Sequence, residues 1–531
     1  MRPLSRVSIP GSLIVATLLL VGTNPAVCQE PDSSKKYIRN VEIITQEIFP
    51  DSVQRTHSPY RQMNFLHITT RERVIRREVL FAPGDSLDQE LIDETKRKLR
   101  RLPYIGEAQI SVHPVNPDSV DITVRTRDQW STILGFSIQS GGGLTGVGGS
   151  FDEYNLFGLG KRATINGFWE NDVGMTWTLG YNDRQLVGTR YRLTAGYSTG
   201  PLIRSGVLNF SRPLHSPDDK WTYGGGVYAV DEIQRLFNQG VEFSRMKFET
   251  QGASGWIRRA FGKRFQKKRV ELNYSYQNRD FDSLGTATNS PLGVDEEIYA
   301  TEAGISVEKH KFKEETQIDK FVLTEDFTLG PTTRLFVGRA GFPIPKGVKR
   351  WEIDFEHKHN FQLWTSQFLF LTGGFETLFT RDTILSLITK FYQKAFWRQT
   401  FAVHWDFRYA WDLEASSQFV IGGESGLRGY TARAFAGDKR FQLNVEDRIY
   451  APFELLTVAS SMVLFADAGF AWQRNQAVDL RDLKYGAGFG FRFGFTRFPR
   501  SPVARIDFGW PLSGEGGMII TLGMEQIFSA R

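Results

Sequence analysis

The chain has 531 residues, of which 13% are aromatic and 51 are glycine, and its formal net charge is +6. So small a charge for this length, with no stripe of Lys and Arg interleaved with stacking aromatics, argues against nucleic-acid binding. The composition fits a β-barrel whose strands are polar on one side better than a soluble enzyme, which would show more helical periodicity.

Residues 1–28 predict an export signal. Arg2 and Arg6 precede an apolar run from Gly11 to Gly22, and Ala26-Val27-Cys28 offers small residues at a cleavage site. The apolar run is too short to cross a membrane as a helix. A lipidated Cys28 is an alternative, although the leucine and the small residue that usually precede such a cysteine are lacking. Cleavage after the chain's single cysteine would leave no thiol, which suits an oxidising compartment and excludes a thiolate metal site.

Residues 37–128 predict a small α+β domain with the element order β-α-α-β-β. Ser86–Gln89 has the form of a capping box ahead of the second helix. The basic run Lys96–Arg101 within that helix is interpreted as a solvated face, with anionic lipid headgroups as an alternative contact. Alternating apolar residues at Ala108–Val112 and Val120–Val124 predict a closing hairpin.

From residue 131 to 531, apolar and polar side chains alternate, which predicts strands with one face toward lipid and one toward water. In one segment the first parity holds Phe401, Val403, Trp405, Phe407, Tyr409 and Trp411, and the second holds Ala402, His404, Asp406, Arg408, Ala410 and Asp412. Gly141–Gly143 with Gly148–Gly149 predicts the turn between the first two strands. The least regular region is 311–347. We predict a transmembrane β-barrel of about 16 antiparallel strands, since closing one chain with both ends on the same side requires an even count.

Several motifs resemble those of a known family. Gly84–Asp88 and Leu102–Gly106, in their predicted context, resemble a polypeptide-transport-associated (POTRA) domain. The barrel motifs resemble those of the BamA/TamA superfamily of outer-membrane assembly factors, also called the bacterial surface antigen family. They are Tyr154–Gly160, the Gly-rich loop Ile421–Tyr430, the Phe-x-Asp-x-Gly strand Phe465–Gly469, and Ile506–Leu512. The resemblance implies an outer-membrane location with the small domain in the periplasm. It also implies contact with unfolded outer-membrane or secreted polypeptides, outer-membrane lipid and periplasmic assembly partners.

The resemblance also singles out a site inside the barrel. Its lumen-loop motif would be Gly426, Leu427, Arg428, Gly429 and Tyr430. Strand parity places Asp467 on the lumen side, so a loop folded into the lumen would let Arg428 pair with it. Glu446 and Asp507 share the inward parity and are the fallback partners. The alternative is an exposed loop arginine and a solvated lumen carboxylate.

The function implied by the resemblance is insertion, assembly or translocation of polypeptides. The POTRA domain would receive unfolded strands at a sheet edge, and the barrel would open between Thr132–Ser140 and Gly517–Phe528 to template them. We expect no enzymatic activity, cofactor or metal, and His357 with His359 is interpreted as a surface pair. A structural barrel or surface antigen without a transport role and secretion of a dedicated passenger protein are the alternatives. The single POTRA domain favours a specialised relative over the general assembly factor.

Overall fold

The computed structural model describes most of the chain after residue 35. The described residues are 36–49, 67–141, 144–283, 295–319, 325–344, 347, 349–378, 381–395, 398–411, 413, 417–423, 425–455, 458–495, 503–514, 516–524 and 526–528. The predicted export signal, including Cys28, lies outside them. Among these residues, no helix is long and apolar enough to cross a membrane.

The N-terminal domain is a three-stranded sheet covered by two helices. Its elements are β1 (Tyr37–Gln46), α1 (Glu72–Arg76), α2 (Gln89–Arg100), β2 (Ile105–Asn116) and β3 (Ser119–Asp128). The sheet order is β1-β3-β2, with β1 parallel and β2 antiparallel to the central β3. The element order β-α-α-β-β is the one predicted from the sequence.

The core of this domain lies between the helices and the sheet. Leu99 of α2 and Val124 of β3 are fully buried, and both belong to one apolar cluster. The predicted capping box is wrong, because α2 begins at Gln89 and its cap is Asp88. The Asp88 carboxylate accepts from the main-chain N–H of Glu90 at 2.9 Å and of Leu91 at 3.3 Å, which satisfies donors that a helix start leaves free.

The rest of the chain forms a barrel of antiparallel strands. The strands are β4 (Thr132–Gly141), β5 (Leu144–Glu153), β6 (Lys161–Glu170), β7 (Gly174–Asp183), β8 (Arg192–Thr199), β9 (Ile203–Arg212), β10 (Trp221–Asn238), β11 (Val241–Lys263), β12 (Gln266–Ser283), β13 (Glu296–Lys309), β14 (Lys311–Glu315), β15 (Glu325–Ala340), β16 (Trp351–Trp364), β17 (Gln367–Leu378), β18 (Arg381–Ala395), β19 (Gln399–Ala410), β20 (Phe419–Ile421), β21 (Phe435–Gly437), β22 (Lys439–Leu455), β23 (Val458–Trp472), β24 (Lys484–Phe495), β25 (Val503–Pro511) and β26 (Ile519–Met524). The short strands β20 and β21 pair with each other in a separate hairpin between β19 and β22.

The predicted count of 16 strands is wrong, because the described barrel has about 20. β13 and β14 both pair with β15 and are one strand interrupted at His310. The glycines assigned to the first turn include strand residues, and so does the irregular region 311–347. Gly148 and Gly149 lie inside β5, opposite Ser137 and Phe136, and Pro331 lies inside β15. β10, β11 and β12 have 18, 23 and 18 residues, whereas about 9–11 residues suffice to cross a membrane, so these strands project beyond it.

The two faces of the wall differ as the alternation predicts. On β7, Trp177 and Leu179 point outward and are exposed, while Thr178 points inward and lies 3.2 Å from Ser198 of β8, oxygen to oxygen. Large outward side chains such as Trp169 and Tyr197 continue this apolar surface on neighbouring strands. The outer face therefore suits lipid, and the lumen is polar.

The ring is completed where β26 meets β4. Among the described residues, one residue pair, Leu522 with Ser140, joins these strands. By contrast, β4 pairs with β5 along its whole length, from Thr132 opposite Glu153 to Gly141 opposite Leu144. The barrel is thus closed by a very short junction between β26 and β4, which we call the seam.

The N-terminal domain lies against one end of the barrel, here called the proximal end and defined by the turns at 154–160, 184–191, 213–220 and 264–265. The main-chain N–H of Arg71 donates to the Gly158 carbonyl at 3.0 Å, and the Asn155 amide donates to the Thr70 hydroxyl at 2.9 Å. Further along, the Arg264 guanidinium lies 2.5 Å from the Asp88 carboxylate. The domain therefore contacts several successive turns.

The basic run of α2 takes part in this docking. Arg100 pairs with Glu314 at 2.6 Å, and the Arg97 guanidinium carbon lies 4.6 Å from the centre of the Phe312 ring. The Lys98 ammonium lies 2.9 Å from Nδ1 of His215 in the turn before β10. The interpretation of this run as a solvated face is wrong for these three side chains, because the barrel supplies their partners.

Candidate functional site

The loop between β19 and β22 folds into the lumen and carries the predicted motif. Its base is the hairpin of β20 and β21, and Ile421, Leu427 and Ala471 form a small apolar cluster that fastens the loop to β23. Gly426 and Gly429 have φ of +110° and +94°, a backbone region that side chains with a Cβ rarely adopt. These glycines let the chain turn sharply on both sides of Arg428.

Arg428 is fully buried inside the barrel, and the structure brings it to Asp467. Its Nε and Nη2 donate to the two carboxylate oxygens of Asp467, each at 2.8 Å. Its main-chain N–H donates to the same carboxylate at 3.1 Å. This bidentate arrangement fixes the orientation of the loop as well as its position.

The two fallback partners also belong to the site. Nη1 of Arg428 donates to a carboxylate oxygen of Glu446 at 2.7 Å, and it lies 3.8 Å from Asp507. All three acidic side chains are buried. The three predicted partners therefore surround one guanidinium rather than competing for it.

The strand motif Phe465–Gly469 faces the loop with three of its residues. The Phe465 ring lies under Arg428, 3.6 Å from ring centre to guanidinium carbon, and Asp467 supplies the bidentate carboxylate. A Cβ at Gly469 would lie 2.6 Å from the Ile421 side chain. Because alternate residues of this strand face the loop, Phe465 contributes an aromatic ring, Asp467 a negative charge and Gly469 the space that the Ile421 side chain occupies.

The other motif residues contact the wall formed by β24 and β25. The hydroxyl of Tyr430 lies 2.9 Å from the carbonyl oxygens of Tyr485 and Ser513. A Cβ on Gly429 would lie 2.7 Å from the Trp510 carbonyl carbon. At Gly486, a Cβ would overlap the Arg428 carbonyl oxygen. The loop therefore lies directly on the backbone of these strands.

Sequence reasoning missed further arginines of the same network. Arg448 and Arg492 are fully buried. Arg448 donates to Glu446 at 2.9 Å, and Arg492 donates to Asp507 at 2.6 Å. The inward parity that Arg448 shares with Glu446 was the available signal, but the sequence did not show that these charges meet. Asn444 completes the network by donating to Asp467 at 2.7 Å and to the Gly426 carbonyl at 2.6 Å.

This arrangement is suited to holding a loop in place. Each carboxylate accepts from at least one guanidinium, which is the condition under which buried charges are tolerated. Removing one member would leave its partners buried and uncompensated, at a cost of about 3–5 kcal/mol. Among the described residues, no group of three or more His, Cys, Asp or Glu could hold a metal ion. His357 instead lies 2.8 Å from the Thr333 hydroxyl, and His359 stacks on Phe361.

Models of known protein families match both the barrel and the N-terminal domain. A model of the Omp85 superfamily domain matches residues 347–522. A model of the POTRA domain, described as a surface antigen variable number repeat, matches residues 61–127. These matches cover the lumen loop, the strand motif and the part of the N-terminal domain that follows β1.

Two curated proteins are similar in sequence to this chain over part of their length. The outer membrane protein assembly factor BamA of Nitratidesulfovibrio vulgaris is 29% identical over 148 residues, which are 28% of this chain and 16% of that protein. BamA of Neorickettsia risticii is 25% identical over 130 residues, which are 24% of this chain and 17% of that protein. The matched segments therefore span about a sixth of these relatives.

Two solved structures are similar over most of the chain. The structure of BamA from Haemophilus ducreyi lacking POTRA domains 1–3 has a TM-score of 0.42 and 13% identity, covering 92% of this chain and 84% of that one. CdiB from Acinetobacter baumannii has a TM-score of 0.47 and 12% identity, covering 92% and 74%. The family models therefore assign residues 347–522 to the Omp85 superfamily and residues 61–127 to the POTRA domain, and the similarity to the two BamA proteins covers 24% and 28% of this chain.

Proposed function

We propose that this outer-membrane protein inserts or translocates other polypeptides by pairing their strands with the open edge of β4 at the seam. The matches to the Omp85 superfamily domain and to the POTRA domain support a role in outer-membrane protein assembly, translocation or secretion. The observation that carries the finer proposal is the one-pair closure between Leu522 and Ser140. A barrel that served as a passive wall would gain stability from a longer seam.

The edge of β4 is available for pairing. Between Thr132 and Ile138 no described residue pairs with its outer edge, while its other edge is fully paired with β5. Leu134 and Phe136 are exposed by 68% and 77%, so this strand also presents apolar side chains. An unpaired edge of this kind is a template for an incoming strand.

Residues 526–528, here called the tail, are held away from that edge. After β26, residues 526–528 turn into the lumen, where the Phe528 ring stacks on His404 with ring centres 5.1 Å apart. Nη2 of Arg448 donates to the Phe528 carbonyl at 3.1 Å, and Phe528 belongs to an apolar cluster with Tyr392. Because Phe528 is buried against β18, β19 and β22, residues 526–528 do not lengthen the pairing of β26 with β4.

The POTRA domain supplies a second place for strand addition. β1 and β2 are the outer strands of its sheet, since β3 lies between them. In our proposal this domain lies in the periplasm and passes unfolded outer-membrane or secreted polypeptides to the lumen. Strand pairing uses main-chain hydrogen bonds, so the proposed activity requires neither a cofactor nor catalytic side chains, and we propose that the protein is not an enzyme.

A disulfide across the seam tests this proposal. Cysteines at the paired positions, S140C with L522C, should lock the seam on oxidation. In liposomes, the rate at which the protein accelerates folding of a small outer-membrane barrel should fall to the protein-free rate and recover on reduction. The matched control is T178C with S198C, a pair in the continuous ladder of β7 and β8, where oxidation should change nothing.

Unchanged assistance by the oxidised seam variant, with the crosslink verified by mass spectrometry, would overturn the proposal. If the variant also retained every envelope phenotype of the unmodified protein, the structural-barrel alternative would replace it. Loss of export of one passenger without loss of barrel folding would instead favour dedicated secretion.

A further inference from the structure

Two neighbouring cavities lie where the POTRA domain meets the proximal end of the barrel. Their volumes are 410 and 280 Å³. Arg184, in the turn after β7, and Arg192, the first residue of β8, line both of them. The two cavities therefore form one region around these arginines.

Cations from both domains converge on this region. The POTRA domain contributes Arg76, Arg77, Lys98 and Arg101, and the barrel contributes Arg162, Arg184, Arg190 and Arg192. We call these eight residues the basic vestibule, in which Arg162 is paired with Asp152 at 2.6 Å. Like charges on two facing domains repel each other, so docking of the domain is opposed unless an anion lies between them.

Part of this charge is already neutralised, because Arg76 pairs with Glu72 at 2.6 Å and Arg190 lies 4.0 Å from Asp219. Glu78 is the one carboxylate residue among the described residues that line the two cavities, and it is already engaged by Lys98 at 2.9 Å and by the Gln185 amide at 2.7 Å. Within the described residues, neither Arg184 nor Arg192 forms an ion pair. The buried Nε of Arg192 also has no hydrogen-bond acceptor there. Arg184 and Arg192 thus line the cavity without an ion-pair partner among the described residues, and the Nε donor of Arg192 is unused.

His215 reports the same positive surroundings. Its Nδ1 lies 2.9 Å from the Lys98 ammonium, and burial together with the charge of Lys98 lowers the pKa of His215 to about 4. The imidazole is therefore neutral at physiological pH and accepts from Lys98. Burial and the charge of Lys98 together therefore oppose a further positive charge on His215.

The position of the cavity indicates the source of its ligand. Thr164, Thr178 and Thr194 line it from strands β6, β7 and β8, on the inward face opposite the exposed Trp177 and Leu179. Lipid headgroups lie on the other side of this wall. The remaining route to the cavity runs between the POTRA domain and the lumen, which is the path that the proposed function assigns to a polypeptide.

We infer that the basic vestibule binds acidic side chains of an unfolded polypeptide as it passes from the POTRA domain into the lumen. This inference rests on the proposed function and names a class of substrate for it, namely segments rich in Asp and Glu. Arg184 and Arg192 each offer a planar guanidinium that can hold a carboxylate bidentately. The Thr194 hydroxyl, which accepts from the Asn182 amide at 2.8 Å, can donate its own proton to a further acceptor on the polypeptide.

Peptide binding to the full-length protein in detergent tests the inference. The probes are two fluorescein-labelled unstructured peptides of equal length, one with Glu at alternate positions and one with Gln instead. Fluorescence anisotropy at low salt should show the Glu peptide binding about tenfold more tightly, since exposed charge pairs are screened at high salt. In R184Q/R192Q this preference should fall by about tenfold. The charge-matched control is K349Q/R481Q, two exposed cations outside the vestibule, and its preference should remain.

Three results would overturn the inference. They are equal affinity for the two peptides, an equal loss in the control variant, and displacement of the Glu peptide by an equal concentration of inorganic phosphate, which would indicate a site for small anions. The assay does not require the seam to open, so the oxidised S140C/L522C protein should bind the Glu peptide normally. A failure of peptide preference and a failure of the seam lock can therefore be told apart.

Discussion

The wall around β22–β25 and the seam between β26 and β4 differ sharply within one barrel. β22 and β23 pair from Lys439 opposite Trp472 to Leu455 opposite Val458, and the buried charge network of Arg428 joins that wall to the lumen loop. At the seam one described pair holds the strands together. The free energy that closes the barrel is therefore distributed unevenly around the ring, so that opening is confined to the seam while the other strand pairs stay intact.

The largest expected effect on stability comes from removing Arg428, which joins the lumen loop to the wall of β22–β25. R428A leaves Asp467 and Glu446 buried without their shared partner and should lower the free energy of unfolding by about 3–5 kcal/mol. The barrel should still insert, but the loop should become sensitive to protease and the folding assistance should fall. Urea unfolding in liposomes measures the stability change. R408A, which removes a partly exposed partner of Asp406, should cost less than about 1 kcal/mol.

An unfolding midpoint for R428A equal to that of R408A would contradict the assignment of Arg428 as the anchor of the loop. R428K sharpens the test, because a lysine retains the charge but not the bidentate geometry. We expect it to restore part of the stability and little of the loop protection.

The seam can be altered through residues 526–528. F528A removes a buried aromatic side chain and should release residues 526–528 from the lumen, at a cost of about 3 kcal/mol to that contact. The register set by Leu522 and Ser140, if continued, would place residue 528 opposite Leu134. We therefore expect the freed tail to pair with β4. Slower amide hydrogen exchange in Ile133–Ile138 measures this, and unchanged exchange would show that tail docking and the seam are independent.

A smaller change tests how closely the loop lies on the wall. G486A places a methyl group where the Arg428 carbonyl oxygen lies and should cost about 1–3 kcal/mol by overpacking. G206A on β9 is the matched control, because a Cβ there meets nothing within 4 Å. Unfolding midpoints of the two variants should differ. If they coincide, the loop does not contact β24 as described.

The smallest effect concerns the docking of the POTRA domain and depends on pH. The pKa of His215 is lowered to about 4 by burial and by Lys98, so an undocked His215 takes up a proton more readily than a docked one. Burial alone would raise the pKa of Glu78, but Lys98 and Arg184 outweigh it and lower this pKa. Both shifts favour docking at neutral pH. The contribution of His215 is lost as the pH falls from about 6.5 to about 4, whereas that of Glu78 is lost only as the pH falls below the ordinary glutamate pKa of 4.5.

Spin labels on the exposed positions Asp93 of α2 and Val187 of the β7–β8 turn can follow this change. The distance distribution between them should broaden on acidification in the unmodified protein. H215Q, which retains a side chain that can accept from Lys98 and cannot be protonated, should broaden less. Identical behaviour of the two proteins would exclude His215 as a source of the pH dependence.

The sequence predicted those features that depend on local periodicity. The alternation of the barrel strands and the β-α-α-β-β order of the N-terminal domain were both visible in it. The strand count was not, because glycine and proline inside β5 and β15 resemble turn signals when their cross-strand partners are unknown. The pairing of Arg428 with Asp467 was predicted through a family motif. The convergence of Arg448 and Arg492 on the same carboxylates depends on barrel closure, which no local pattern encodes.

The most direct test of the central claim is whether a substrate strand lies beside β4 during folding. A cysteine at Ser137 on the open edge of β4, and a control cysteine at Ser198 within the continuous ladder, can be challenged with an unfolded barrel substrate that carries a cysteine in its terminal strand. We expect a mixed disulfide with S137C when a thiol oxidant such as copper phenanthroline is added during folding, none when the oxidant is added after the substrate has folded, and none with S198C at either time. Equal crosslinking of both positions, or of neither, would contradict strand templating at the seam.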